Sequence, residues 1–139
     1  MTAGGLAATR ASGDRAFAAL AAACDDNTNC AAQHGDLSAE IDTVEQRYDA
    51  APVHIQVDLG DRQGPQEFVI TGADMMGGLF QAMYDPALLA LVPSIIGDLA
   101  TGDTAIVGEL IRRNVAAQDE TAWGMNLSVN CADHSSLDP

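Results

Sequence analysis

Lysine is absent from this chain, and all six basic residues are arginines. Against them stand 20 acidic residues, which gives a formal net charge of -14. A protein that binds nucleic acid or an anionic membrane needs clustered lysines and arginines to contact phosphate groups. The one basic doublet, Arg112-Arg113, fits the solvated face or the last turn of a helix. We therefore expect neither nucleic acid nor membrane among the partners.

Long apolar runs and aromatic side chains are also scarce. No stretch approaches the roughly 20 apolar residues of a transmembrane helix, and the first residues lack the basic and apolar regions of a signal peptide. Aromatic residues make up 4% of the chain, and alanine supplies much of its 47% hydrophobic content. We expect one domain with a small core, built from Phe17, Leu20, Leu37, Ile41, Tyr48, Phe68, Ile70, Leu79, Phe80, Leu88, Ile95, Ile106, Leu110 and Trp123.

The spacing of apolar residues predicts a mainly α fold with a small β-hairpin. Residues 1–13 are small and featureless and predict a linker, and residues 14–125 predict a helical domain. Capping and breaking residues place the helix boundaries. The first predicted helix runs from about Asp14 to Cys24, and a short second helix ends at about His34, before Gly35. A third runs from Asp36 or Ser38 to Pro52, and a fourth from Thr71 past Met83. The next runs from Asp85-Pro86 to Gly102 with a division at Pro93, and the last from Asp103 to about Ala117.

Two segments alternate with the period of a β-strand. Val53, Ile55, Val57 and Leu59 lead through a turn at residues 60–65 to Phe68-Val69-Ile70, which predicts a hairpin over about 53–71. Residues 126–131 alternate in the same way and predict a strand, with 132–139 as a tail. This last strand either joins the hairpin as a third strand or belongs to a sheet outside the chain.

The three cysteines suggest a disulfide-clipped domain with one thiol left over. The spacing of Cys24 and Cys30 suits two helix ends that are joined across a turn. Cys131 then needs a partner outside these 139 residues. Histidines and cysteines do not have zinc spacing, and the polar turn Asp25-x-Asn27-x-Asn29 lacks the glycine of a calcium loop. We expect no metal.

Catalytic motifs are missing as well. No Gly-x-Ser-x-Gly elbow or phosphate-binding loop is present, so we expect no catalytic residue, no cofactor and no activity of the isolated chain. Asp133-His134-Ser135 are sequence neighbours, which rarely form a catalytic triad, and they predict a polar tail. We expect Met75, Met76 and Met83 to pack in the core. The less favoured alternative is that they form one wall of an apolar substrate pocket.

Several short motifs follow one another in a recognisable order. They are the alanine-rich Cys24-x5-Cys30, Ala31-Ala32-Gln33-His34-Gly35-Asp36-Leu37, Ala51-Pro52-Val53, Val69-Ile70-Thr71-Gly72-Ala73-Asp74, Met83-Tyr84-Asp85-Pro86, Thr101-Gly102-Asp103 and Val129-Asn130-Cys131-Ala132-Asp133. In this order they resemble the lid region of actinobacterial α/β-hydrolase serine peptidases of the tripeptidyl-aminopeptidase type, which are relatives of proline iminopeptidase. The resemblance runs from about Ala16 to Asp133.

The resemblance implies a helical lid inserted into an α/β-hydrolase whose core sheet lies outside this chain. The serine elbow would precede Met1, and the catalytic acid and histidine would follow Pro139. The implied partners are that hydrolase core and a short peptide substrate, and the implied location of the parent protein is secreted or cell-envelope. Asp74 and Glu109 are candidate contacts for the peptide amine. The alternative is a self-contained secreted binding module with an intermolecular disulfide through Cys131.

Overall fold

The computed structural model describes residues 3–60 and 64–119, with side chains over 11–60 and 64–116. Within these residues the chain forms helices and a two-stranded antiparallel sheet, which confirms the predicted mainly α fold with a small hairpin. In chain order the elements are α1 (Ala3–Asp25), α2 (Thr28–His34), α3 (Leu37–Ala50), β1 (Val53–Val57), β2 (Gln66–Ile70), α4 (Gly72–Ala82), α5 (Pro86–Leu89), α6 (Val92–Thr101) and α7 (Val107–Asp119).

The first helix begins well before the position that the sequence predicted. α1 starts at Ala3, whereas residues 1–13 were expected to be a linker and the helix to begin at about Asp14. Alanine has the highest helix propensity, and the alanines before Asp14 outweigh the cost of the glycines among them. Residues 3–13 therefore continue α1, and the predicted helix start at about Asp14 is corrected.

The turn between α1 and α2 is held by capping and by a disulfide. The Oδ1 atom of Asn27 accepts hydrogen bonds from the main-chain N–H groups of Asn29 and Cys30, each at 3.1 Å. This satisfies donors that the first turn of α2 leaves without helical partners. The disulfide joins Cys24 to Cys30 across a Cα–Cα distance of 5.1 Å, so the end of α1 is tied to the start of α2.

Helix α3 lies at the centre of the core and packs against α1, α4 and α6. Its buried residues recur at helical spacing, and α6 contributes Val92, Ile95, Ile96 and Leu99 to the same core. Of the predicted core, Phe17, Leu37, Ile41, Tyr48, Leu79 and Ile95 are buried, the other members are partly buried, and Trp123 lies outside the described residues.

Two glycines allow close packing between helices. At Gly72, the first residue of α4, a Cβ atom would be 2.6 Å from Oδ1 of Asp49 and would also overlap the main-chain oxygen of Glu45. At Gly97 on α6, a Cβ atom would be 3.2 Å from Cε1 of His34, whose Nδ1 lies 2.9 Å from Oε2 of Glu40. A larger residue at position 72 would push α4 away from α3, whereas one at position 97 would require the His34 side chain to shift by a few tenths of an ångström.

The hairpin pairs Val53 with Ile70 and Val57 with Gln66, and β1 packs against α7. Asp103 was predicted to cap α7, but this helix begins only at Val107. The carboxylate of Asp103 instead accepts a hydrogen bond from the N–H of Ala105 at 2.9 Å, within the turn before the helix. None of the helices in the described ranges has the length and apolar character needed to cross a bilayer.

Candidate functional site: an apolar groove between α4 and α7

A groove of about 610 Å³ lies between β2, α4 and α7, with the α4–α5 connection at one side. Phe68 and Ile70 contribute from β2 because side chains two apart on a strand point to the same face. The residue between them, Val69, is 52% exposed. The hairpin therefore supplies one apolar wall of the groove.

Helix α4 supplies the second wall through residues on one helical face. Met75, Gly78, Leu79 and Ala82 line the groove, and their spacing of three and four residues places them along one side of α4. The capping box at Thr71 fixes where this helix begins and therefore which face it turns inward. Met75 is buried in the core, as expected, and it also lines the groove.

Helix α7 supplies the third wall with the same periodicity. The groove is lined on this side by Val107, Leu110, Ile111 and Val115. Arg112 and Arg113 are exposed. Apolar residues at this spacing form a continuous stripe along a helix. The groove is therefore bounded by apolar side chains from β2 and α4, which follow each other in the chain, and from α7, which is distant from both in sequence.

Two carboxylates lie among the residues that line the groove, Asp74 on α4 and Asp85 before α5. Oδ2 of Asp74 accepts hydrogen bonds from the hydroxyl of Thr71 at 2.6 Å and from its main-chain N–H at 2.9 Å. These hydrogen bonds, the one from the hydroxyl first, hold the pKa of Asp74 below its ordinary value because they stabilise the charged carboxylate. Asp74 is therefore negative at neutral pH.

Asp85 and Arg113 face each other at the same groove. Oδ1 of Asp85 accepts a hydrogen bond from the N–H of Ala87 at 2.9 Å and so caps α5. Its Oδ2 atom lies 3.9 Å from a guanidinium nitrogen of Arg113. Arg113 also contacts Glu109, and both Asp85 and Arg113 line the groove, which places charge of both signs beside its apolar walls.

The two acids proposed from the sequence stand in different places. Asp74 lines the groove, whereas Glu109 is not among the lining residues. Glu109 lies on α7 and is paired with Arg113 at 3.0 Å and with Arg112 at 2.9 Å. Hydrogen bonds from these two guanidinium groups lower the pKa of Glu109, so its charge is balanced locally.

Sequence reasoning did not find Asp85, Arg113 or Gly78 as groove residues. Asp85 was recognised as a helix start, but its distance from Arg113 depends on how α4 and α7 pack. The one available signal was the spacing of apolar residues on α4 and α7, which predicts that each helix buries one face but not that the two faces leave a groove between them.

In the described part of the chain, no group of three histidine, cysteine or acidic residues could hold a metal. The described histidines, His34 and His54, each place Nδ1 within 3.0 Å of a glutamate, Glu40 and Glu67 respectively. The predicted strand 126–131, Cys131 and the Asp133-His134-Ser135 sequence lie outside the described residues.

Comparison with known proteins identified no relative. No protein-family model, no curated protein and no solved structure matches this chain.

Proposed function

We propose that this chain is the substrate-gating lid of an α/β-hydrolase serine aminopeptidase that removes residues from the amino end of short peptides. The nucleophile, the acid and the histidine would belong to a hydrolase core outside this chain, and the chain alone would be inactive. The observation that carries the proposal is the groove, in which apolar walls and carboxylates lie together on a small helical domain. The order of motifs from Cys24 to Asp133, which resembles the lid of such peptidases, also supports the proposal.

The groove has the chemistry that the first residue of a peptide requires. Its walls, represented by Phe68, Leu79 and Ile111, suit an apolar side chain, whose transfer from water is favourable. The carboxylates of Asp74 and Asp85 outnumber the guanidinium of Arg113 among the lining residues, so the groove would attract a protonated α-amine. A lid of this kind would bind the peptide end and keep water from the reacting bond.

The disulfide supports a proposed location outside the cytoplasm. Cys24 and Cys30 are joined in the structure, and disulfides persist mainly in oxidising compartments. The net charge of -14 also suits attraction of a peptide with a free amine. We therefore assign the parent protein to the cell envelope or to the secreted proteins as part of the same proposal.

The test is to determine the DNA sequence on both sides of this reading frame and to express the extended frame. We expect a Gly-x-Ser-x-Gly elbow upstream and an aspartate and a histidine downstream. The extended protein should release p-nitroaniline from a tripeptide p-nitroanilide, whereas this chain alone should not. Replacing the elbow serine by alanine should abolish the activity while the protein remains folded.

Clean gene boundaries on both sides would overturn the lid proposal. A signal peptide directly before Met1 and a stop codon after Pro139 would instead favour the self-contained binding module. In that case a non-reducing gel of the native protein would be the next measurement, since the module predicts a covalent partner that reduction releases from Cys131.

A further inference from the structure

Gly78 lies in the interior of α4, where glycine is less favourable than alanine. Neither of the usual reasons for glycine applies here. Gly78 does not have a positive φ angle, and a Cβ atom at this position would meet no heavy atom within 4 Å. Gly72 differs, because a Cβ atom there would collide with α3. Gly77 has the same open space but is exposed, whereas Gly78 is half-buried, so the space beside Gly78 is the one to be explained.

That open space belongs to the groove. Gly78 is one of the lining residues and lies on the same helical face as Met75 and Ala82. The opposite walls carry Phe68 and Ile111. A side chain at position 78 would therefore extend into the groove without displacing the core, and it would reduce the space that an occupant can use.

The carboxylate of Asp74 lies one turn before Gly78 on the same helix, and Asp74 also lines the groove. A ligand that places an apolar group beside Gly78 could therefore place a positive charge near Asp74. A peptide with a protonated amino end and an apolar first side chain has this combination within one residue. Charge complementarity thus favours such a peptide over an uncharged apolar molecule.

We propose that Gly78 is a specificity-determining residue that keeps the groove wide enough for a large apolar side chain on the first residue of a short peptide with a free amine. The inference rests on the proposed function for the class of ligand. It goes further in stating that residue size at position 78 determines which first residues are accepted. A peptide whose first residue is a large aliphatic one such as leucine should bind well. A peptide that begins with alanine should bind less well because its side chain leaves the groove walls partly uncovered.

The experiment uses this chain and four variants. Gly78→Ala and Gly78→Leu narrow the groove by different amounts. Gly77→Ala and Gly77→Leu are matched controls, because Gly77 is exposed on the same helix, has no heavy atom within 4 Å of a Cβ atom and does not line the groove. Thermal melting checks that all four variants fold. Leu-Ala-Ala, Ala-Ala-Ala and N-acetyl-Leu-Ala-Ala are titrated and followed by amide chemical shifts.

We expect the unmodified chain to bind Leu-Ala-Ala roughly tenfold or more tightly than Ala-Ala-Ala, since the apolar contacts of the two side chains differ by several carbon atoms. Gly78→Leu should lower affinity for Leu-Ala-Ala by about tenfold or more, and Gly78→Ala by less, whereas the Gly77 variants should bind as the unmodified chain does. Acetylation removes the positive charge and should weaken binding in every folded variant.

Equal affinities in Gly78→Leu and Gly77→Leu would overturn the role of Gly78 and leave the lid proposal standing. Absence of binding to all three peptides would overturn peptide recognition by the groove. If the Gly78 effect is found but no serine elbow is encoded beside this frame, the size filter holds and the hydrolase proposal fails. The two proposals therefore fail through different observations.

Discussion

The hydroxyl of Tyr48 on α3 donates a 2.9 Å hydrogen bond to the main-chain oxygen of Leu99 on α6. The side chain of Tyr48 is 2% exposed, so this bond lies within the core. The same oxygen accepts the N–H of Gly102 at 3.0 Å, where α6 ends. One polar contact therefore links the centre of the fold to the end of the helix that packs beside it.

Replacing Tyr48 by phenylalanine should lower the free energy of unfolding by about 1 kcal/mol at neutral pH, because one buried hydrogen bond is lost and the ring is kept. Urea denaturation measures this change. Tyr84→Phe is the matched control, since Tyr84 is 72% exposed and its edge-to-face contact with Phe80 does not need the hydroxyl. A loss in Tyr84→Phe equal to that in Tyr48→Phe would contradict the assignment.

The same variant should change the alkaline side of the stability profile. Burial raises the pKa of Tyr48 above its ordinary value of 10.0, with Arg47 opposing and Asp103 adding to the shift. The folded state therefore keeps the proton longer than the unfolded state does. The stability that Tyr48 contributes through this shift is fully present below pH 10.0 and is lost as the pH rises from there through the raised pKa. Tyr48→Phe should lose stability less steeply across that window, and an unchanged slope would count against the argument.

Gly72→Ala should destabilise the protein by roughly 1–3 kcal/mol, because the added methyl group overpacks the contact between α4 and α3. The Oδ1 atom of Asp49 would lie 2.6 Å from the new Cβ atom, and the main-chain oxygen of Glu45 cannot rotate away. Gly77→Ala on the same helix has open space and should instead stabilise by about 1 kcal/mol. Thermal melting of both variants should therefore give shifts of opposite sign, and shifts of the same sign would refute the contact.

Removing the disulfide by Cys24→Ala together with Cys30→Ala should cost about 2 kcal/mol, the chain-entropy value for so short a loop. Cys24 is 4% exposed, so a small loss of packing adds to this effect. Reducing agent should destabilise the unmodified chain by a similar amount in urea denaturation. The double variant keeps Cys131, so any change in its stability on addition of reductant would come from Cys131. Unchanged stability of the double variant would refute a structural role for the disulfide.

Local signals in the sequence predicted most helix boundaries. Gly35 and Gly102 end α2 and α6 with positive φ angles, and Thr71 with Asp74 forms the expected capping box. These features depend on neighbouring residues, so a single sequence contains the information. The start of α1 at Ala3 was missed because the small, featureless residues there suggested a linker, and the start of α7 was missed because Asp103 caps a turn instead.

The groove was less predictable than the fold. Asp74 could be proposed from its acidic side chain, but its place beside Phe68 and Ile111 depends on how the hairpin and α7 pack on α4. Gly78 carried no signal, because a glycine within a helical pattern is usually interpreted only as a local cost. Packing between segments that are distant in sequence decided both positions, and the spacing along one segment does not record it.

Thr71→Val should cost about 1 kcal/mol at neutral pH, because valine keeps the shape of the side chain but cannot accept the N–H of Asp74. It also removes the hydroxyl that holds the pKa of Asp74 below its ordinary value of 3.8. In the unmodified chain the unfolded state therefore binds this proton more readily than the folded state. The resulting stability is present above 3.8 and is lost as the pH falls through the lowered pKa.

The difference between Thr71→Val and the unmodified chain should thus narrow in acid, where protonation of Asp74 removes the advantage of the charged carboxylate. Urea denaturation at several pH values on both sides of 3.8 measures this narrowing. Thr71→Ser is the control, since its hydroxyl can make both hydrogen bonds of the capping box and should reproduce the profile of the unmodified chain. A constant difference across the whole acid range would mean that Thr71 acts only as a cap and that its hydrogen bond to the carboxylate contributes nothing to stability.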